Sequence, residues 1–396
     1  MNFKEEAATL QPYIEGQRRW LHQHPELTFR EKNTTEHIAN ELQAMGIPVT
    51  RFADYYGLIG TITGSRPGKT ILLRADIDAL GITEENDLPF CSQHKGVMHA
   101  CGHDCHTGML LGAARMLQAH REELAGTVKL LFQAAEESGH GANYYVNHGH
   151  IDGVDAAFAL HMMNEIPEGT FSIEAGARMS SCTDFTLTVK GASAHGSTPH
   201  LGKDAIVAAS AIIMNLQILV SRENNPLEPL VVTIGSVEAG TQFNIICSEV
   251  KLTGTVRTFS PEAFDRVPER LEKLAAVTAE ALGCSIRLAI DTREPAVINE
   301  QDALTELAQQ AVTKLYGTEA LASMKRKMGS EDFSVIMRHV PGVLGFLGYH
   351  NEACGAVYPL HSKNFYVDDA VLQKGAALYA QFAYDYLTGK GEGGNA

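Results

Sequence analysis

The chain is short of basic residues, of long apolar runs and of cysteines in even number, and each shortage excludes a class of protein. Its 396 residues carry 32 Lys and Arg against 47 Asp and Glu, a formal charge of −15. With no cationic excess there are few counterions to release from a phosphate backbone, so nucleic acid is not an expected partner. No apolar run reads as long enough to span a bilayer, so no membrane partner is expected either. The opening stretch MNFKEEAATLQ lacks the apolar core of a secretory signal, and the expected compartment is the cytoplasm. Seven cysteines (91, 101, 105, 182, 247, 284 and 354) are odd in number and widely spread. In a reducing compartment they read as free thiols or ligands rather than a disulfide framework. No repeat is visible, and only the polar tail GKGEGGNA reads as disordered.

What remains has the balance of a globular protein, 44% apolar and 20% charged. The length exceeds one ordinary core, so two domains are expected. Helical spacing from Glu5 to His22 ends before Pro25, and a second helix is predicted over Glu31–Met45. Strands are predicted at 57–64, 70–76, 127–137 and 156–161, the last ending on His161. The helical stretches Met109–His120 and 139–148 fall between the later ones. Strands alternating with helices imply an α/β domain with a mainly parallel sheet. Between Thr183 and Asp291 the order becomes β-α-β-β-α-β, that of a split βαβ, ferredoxin-like unit. The α/β pattern resumes after Thr292, through a helix near 300–315, the segment MGSEDFSVIMRH, a strand around VLGFLGY and a closing helix over Asp368–Leu387. The predicted division is therefore a larger domain over 1–178 and 292–396, carrying an inserted α+β unit over 179–291.

The stretch HACGHDCHTG (99–108) concentrates possible metal ligands at the end of a predicted strand, where ligands of open α/β sheets bind. Cys101 and His103 are spaced so that both side chains can face one point. Glu136 and Glu137, His161 and His361 stand at the ends of other elements. Adjacent glutamates suit a division of labour, one binding a metal while the other accepts a proton; the ordinary alternative is a solvated pair. Cys101 could also be a nucleophile with His103 as its base. A thiolate beside imidazoles and carboxylates fits a metal better. Asp76 and Asp78, in LRADIDAL, end a buried strand and suit a role orienting a ligand histidine. His99, His106, His140, His148 and His150 read as structural or surface residues.

RADIDAL, MHACGHDCHTG, QAAEE, Leu160-His161, GASAHGSTPHLGKDA, GTVRTF, GSEDF and PLHS, with RRWLHQHPEL near the start, resemble the co-catalytic metallopeptidase superfamily. The closer resemblance is to its aminoacylase-like branch of auxin-conjugate hydrolases, hippurate hydrolases and N-acyl-amino-acid amidohydrolases. It runs in order through nearly the whole chain. It implies a catalytic α/β domain with an inserted lid that also forms a homodimer interface. It implies two divalent ions (zinc, or manganese, cobalt or nickel) held by Cys101, His103, Glu137, His161 and His361, with the Cys101 thiolate as bridge. By the same resemblance Glu136 is the general base that deprotonates the attacking water and returns the proton to the leaving amine. His195 reaches a partner's active site to stabilise an oxyanion, and Asn244 and Arg257 hold the substrate, Arg257 by its carboxylate. Taken alone, His195 is a turn histidine and Arg257 an ordinary ion-pair residue. Ala134, Lys363 and Cys247 stand where relatives commonly have proline; none of these departures removes a ligand or the base. The expected activity is hydrolysis of the amide bond of an N-acyl amino acid. The alternatives are a dipeptidase or exopeptidase with the same site, a non-catalytic ligand-binding member, and a cysteine hydrolase.

Overall fold

In a computed structural model, residues 1–389 are described. The tail expected to be disordered falls, from residue 390 on, outside the described residues. The chain forms two compact units, one of Met1–Gly176, Ile298–Lys325 and the residues from Val335 on, the other of Ala177–Val297 with Arg326–Ser334.

The larger unit is built on a seven-stranded sheet. Its centre holds Ala125–Gln133, Arg66–Asp76, Ala156–Pro167 and Gly342–His350, all mutually parallel. Shorter strands close both edges antiparallel: Gly57–Thr63 and Val49–Arg51 on one side, Phe171–Ser172 on the other. The apolar runs at the centre are buried without alternation (Ile71, Leu72 and Leu73; Phe158, Ala159 and Leu160), as strands covered on both faces require. The helices Gln11–Gln23, His103–Ala119 and Leu372–Thr388 supply much of that cover. Parallel strands must be joined by crossovers, so their carboxyl ends gather at one edge of the sheet. Register pairs Asp76 with Gln133 and Arg74 with Ala159, which brings the residues after both strands to the level of His161.

Two local expectations change. The helix read as continuous from Glu5 is two, Phe3–Thr9 and Gln11–Gln23, because Pro12 opens the second and supplies no N–H to continue the first. His161 does not end its strand. Ala156–Pro167 runs six residues further, but its pairing with Arg66–Asp76 stops at Ala159, which frees the His161 ring at the sheet edge.

The smaller unit is a four-stranded antiparallel sheet in the order Ser285–Glu294, Cys182–Lys190, Glu249–Thr258, Leu230–Ala239. The helices Ala205–Leu216 and Pro261–Ala281 pack on it through Ala205, Ala208, Ile212, Leu271 and Ala275, spaced three or four apart as one helix face demands. The stretch Ala205–Glu223 is long and apolar enough by composition to cross a membrane, contrary to the sequence expectation. Its inner face nonetheless serves as core of this unit, while Ile206, Val207 and Met214 stay exposed. The unit ends at Val297 rather than 291, since Ser285–Glu294 continues far enough to pair Glu294 with Cys182. Arg326–Ser334, which carries the whole GSEDF motif, belongs here through Ser180 N–H bonds to the Lys327 and Gly329 carbonyls.

Candidate metal centre

The metal-binding loop turns on Gly102, whose φ of 93° is open to glycine and strained for other residues. A Cβ there would also stand 3.0 Å from Met162 Cγ. The turn directs Cys101 and His103 to the same edge of the sheet. Cys101 Sγ lies 3.6 Å from His161 Nε2. The His103 Nδ1–H donates to the Asp78 carbonyl at 2.8 Å, and the His161 Nδ1–H to the Met162 carbonyl at 2.8 Å. Because a carbonyl can only accept, both rings hold a proton on Nδ1 and direct Nε2 into the site, the nitrogen left for a metal. His103 Nε2 stands 3.9 Å from carboxylate oxygens of both Glu136 and Glu137. Glu137 Oε1 is in turn 3.5 Å from His361 Nε2.

Cys101, His103 and His161 form one group of potential ligands, and Cys101, Glu137 and His361 another, the ligand atoms of each within 4.8 Å of one another. Cys101 belongs to both. His103 Nε2 and Glu137 Oε1 are buried without a hydrogen-bond partner, a costly arrangement that a bound cation would relieve. Thiolate, imidazole and carboxylate are together the donors that divalent transition metals take. The residues present therefore fit a pair of ions.

Electrostatics agree. Burial opposes charge on His103, yet Asp76, Asp78 and Glu137 around it hold its pKa up at about 10. Burial pushes the Glu137 carboxyl up to about 7 despite His103. Burial, with His106 beside it, pushes His161 down to about 3, which keeps it neutral. Asp76, Asp78, Glu136 and Glu137 thus gather around His103.

The residue that orients the ligand histidine is Asp78 rather than Asp76. Asp78 Oδ1 lies 3.2 Å from His103 Nδ1 and accepts the Glu136 N–H at 3.2 Å. Its Oδ2 accepts the Glu137 N–H at 3.0 Å and the Thr28 hydroxyl at 2.8 Å. One carboxylate thereby ties the histidine to the glutamate pair. Asp76 bonds His106 Nδ1 at 2.6 Å and Arg74 at 2.7 Å, and stands 3.7 Å from His103 Nε2. His106 Nε2 accepts the Met162 N–H at 2.8 Å, so both its nitrogens are committed and its role is structural.

Sequence reasoning passed over the supports of this loop. Asp104, next to His103, is wholly buried and receives Arg18 Nε at 2.9 Å and His22 Nδ1 at 2.8 Å. Arg18 also reaches Asp369 at 3.0 Å, and His22 reaches Glu84 at 3.2 Å. The Glu31 carboxylate accepts the Ala135 N–H at 2.8 Å, holding Ala135 at a φ of 63° just before Glu136. The signal for these contacts was RRWLHQHPEL, a motif with no metal chemistry of its own.

In the smaller unit His195 is exposed, with Nδ1 2.7 Å from Ser197 Oγ. Its neighbour Gly196 donates N–H to the Asn244 carbonyl at 2.7 Å, so the loops bearing His195 and Asn244 are held side by side. Arg257 lies elsewhere, bonded to Thr255 Oγ1 and Ser330 Oγ at 3.1 Å each. Asn244 precedes the ten-residue strand Glu249–Thr258, about 30 Å long, and Arg257 is its penultimate residue.

A parallel-sheet unit whose loops converge a thiolate, imidazoles and carboxylates, joined to a ferredoxin-like unit, defines a metal-dependent hydrolase of amide bonds. The chain belongs to peptidase family M20/M25/M40, matched over residues 72–385. It is 36% identical over 379 residues to an N-acetyl-L-cysteine deacetylase of Bacillus subtilis, covering 94% of this chain and 89% of that protein. It is 33% identical over 390 residues to thermostable carboxypeptidase 1 of Saccharolobus solfataricus, covering 97% and 98%. Among solved structures, a dinuclear metal-binding M20 peptidase of Bacillus subtilis superposes with a TM-score of 0.83 at 33% identity, covering 96% of this chain and 99% of that one.

Proposed function

We propose that the protein is a two-metal amidohydrolase that cleaves N-acyl amino acids into a carboxylic acid and a free amino acid. The observation that carries this reading is Cys101 shared between two ligand groups, with Glu136 beside them. Cys101, His103, Glu137, His161 and His361 would hold the ions. Bound there, divalent ions, zinc or else manganese, cobalt or nickel, would supply Lewis acidity toward the amide carbonyl and acidify a water. Glu136 takes the proton of the attacking water and passes it to the amine nitrogen as the C–N bond breaks. Arg257 binds the carboxylate of the amino-acid half, and His195 and Asn244 meet the carbonyl oxygen. The deacetylase relative favours this substrate class. The carboxypeptidase relative favours a second reading, in which a peptide occupies the same site. A panel of N-acetyl, N-benzoyl and long-chain N-acyl amino acids alongside dipeptides, run with chelated and reconstituted protein, separates the two. Turnover of the N-acyl series that vanishes on chelation and returns with metal is expected; turnover confined to substrates with a free α-amino group would transfer the reading to a peptidase.

The smaller unit also speaks for a homodimer. His195 with Asn244, and Arg257, lie toward opposite ends of the strand Glu249–Thr258, itself about 30 Å long, a wide span for one lid to close on a small substrate. A second copy's lid would supply the missing end, and the exposed Ile206, Val207 and Met214 offer an apolar face for pairing. Sedimentation as a dimer, with His195→Ala lowering kcat, is expected. A monomer in which His195→Ala retains full turnover would end the proposal.

A further inference from the structure

His361 is the exposed member of the ligand set and the one that the chain supplies last. Its φ of 63° is a left-handed backbone that a non-glycine residue keeps only where its surroundings impose it. Two holds are visible. Its own N–H donates to the Ala100 carbonyl at 2.7 Å, which joins it to the loop of Cys101. Beyond it, the Phe365 N–H closes a turn on the Ser362 carbonyl at 3.0 Å, and that turn is gripped from outside. The Glu85 N–H donates to the Lys363 carbonyl at 3.0 Å, and Asn86 Nδ2 donates to the Phe365 carbonyl at 2.9 Å. Lys363 also pairs with the Glu85 carboxylate at 2.7 Å.

The gripping residues belong to a strap that leaves just after Asp78 and returns just before Cys101. Leu80 and Met98 close its base, each N–H bonded to the other's carbonyl at 3.0 Å. A loop of this length without regular structure needs anchors of its own. Glu84, whose side chain is 5% exposed, supplies a central one. Its carboxylate accepts the Ser92 N–H at 2.7 Å and Asn86 Nδ2 at 3.0 Å, and meets His22 Nε2 at 3.2 Å. The two hydrogens of the Asn86 amide therefore join Glu84 to the turn that follows His361. His22 is itself bonded to Asp104, next to His103, so the strap rests on the same brace as the first ligand loop.

We propose that Asn86, held by Glu84, is a positioning residue for His361 and so sets the affinity of the ion in the Cys101, Glu137 and His361 group. The proposal rests on the two-metal reading. Partners that orient a metal ligand commonly change metal affinity by about 10- to 100-fold when removed. The buried Phe365 ring keeps the turn fastened to the core without the amide, so the loss is one of aim rather than of folding.

The test titrates metal-free wild-type and Asn86→Ala protein with zinc by calorimetry and reads Tm beside it. Wild type is expected to take up two ions; Asn86→Ala is expected to bind one as before and the other at least about tenfold more weakly. Asn86→Ser, whose hydroxyl has one hydrogen and cannot serve both acceptors, is the milder form and is expected to move the same ion. His361→Ala identifies that ion. Added to it, Asn86→Ala is expected to leave the affinity of the remaining ion unchanged, whereas a general loosening of the site would weaken it further. His94→Ala cuts the strap's 2.8 Å bond to the Pro25 carbonyl, away from the turn, and is expected to match wild type in both ions. Equal weakening of both ions by the Asn86 variants, no weakening, further loss in the His361→Ala background, or the same weakening in His94→Ala overturns the positioning role and leaves the two-metal reading intact. A wild-type protein that binds fewer than two zinc ions overturns that reading and the positioning role with it.

Discussion

Replacing Glu136 by Gln is expected to leave both ions bound and to lower kcat by about 10³-fold or more. The change keeps shape and hydrogen-bonding reach and removes only the capacity to accept a proton. Its backbone N–H bond to Asp78 Oδ1, at 3.2 Å, does not involve the side chain, so the loop keeps its form. Metal content per chain, measured beside single-turnover rates, separates this outcome from simple damage to the site. Glu137→Gln makes the contrast: Glu137 shares a ligand group with Cys101 and His361, so that variant is expected to lose an ion as well as rate. Near-normal turnover in Glu136→Gln would remove Glu136 from the role of base.

The second large effect concerns Cys101. Because its thiol is common to both ligand groups, Cys101→Ala is expected to release both ions together and lower activity by about 10³-fold or more, whereas His361→Ala weakens only one. Elemental analysis after gel filtration reads the stoichiometry directly. If Cys101 were instead a nucleophile with His103 as base, Cys101→Ala would keep its metal content and thorough chelation would spare the wild-type enzyme. The ring geometry already favours the first outcome. His103 spends its Nδ1 proton on a backbone carbonyl, and its Nε2 faces carboxylates.

Much of this architecture was legible in the sequence because it rests on local signals. Unbroken apolar runs such as TILLRAD mark strands buried on both faces, and the β-α-β-β-α-β order of the inserted unit follows from alternating periodicities. The candidate ligands were legible because Cys101 and His103 share one loop, Glu137 follows a buried strand, His161 lies in another and His361 belongs to the PLHS motif. What stayed hidden depends on direction and register. That Asp78 rather than Asp76 grips His103 turns on which way successive side chains of one strand point as it ends. The place of His161 within a longer strand depends on where a neighbouring strand stops pairing. Arg18 and His22 could not be connected to Asp104 from spacing, since more than eighty residues separate them. The membrane-length composition of Ala205–Glu223 is masked in the sequence because Ser210, Asn215 and Gln217 interrupt its apolar run.

The brace on Asp104 has a consequence for how the protein is made. Arg18 joins Asp104 to Asp369, a partner 351 residues away, and His361 comes from the same late stretch of chain. Contacts of such separation form after local ones, because the loop they close must first be ordered. A growing chain on the ribosome has Cys101, His103, Glu137 and His161 in hand long before either late partner emerges. The brace on Asp104 therefore closes only after the stretch carrying His361 and Asp369 has emerged, long after the loop it supports.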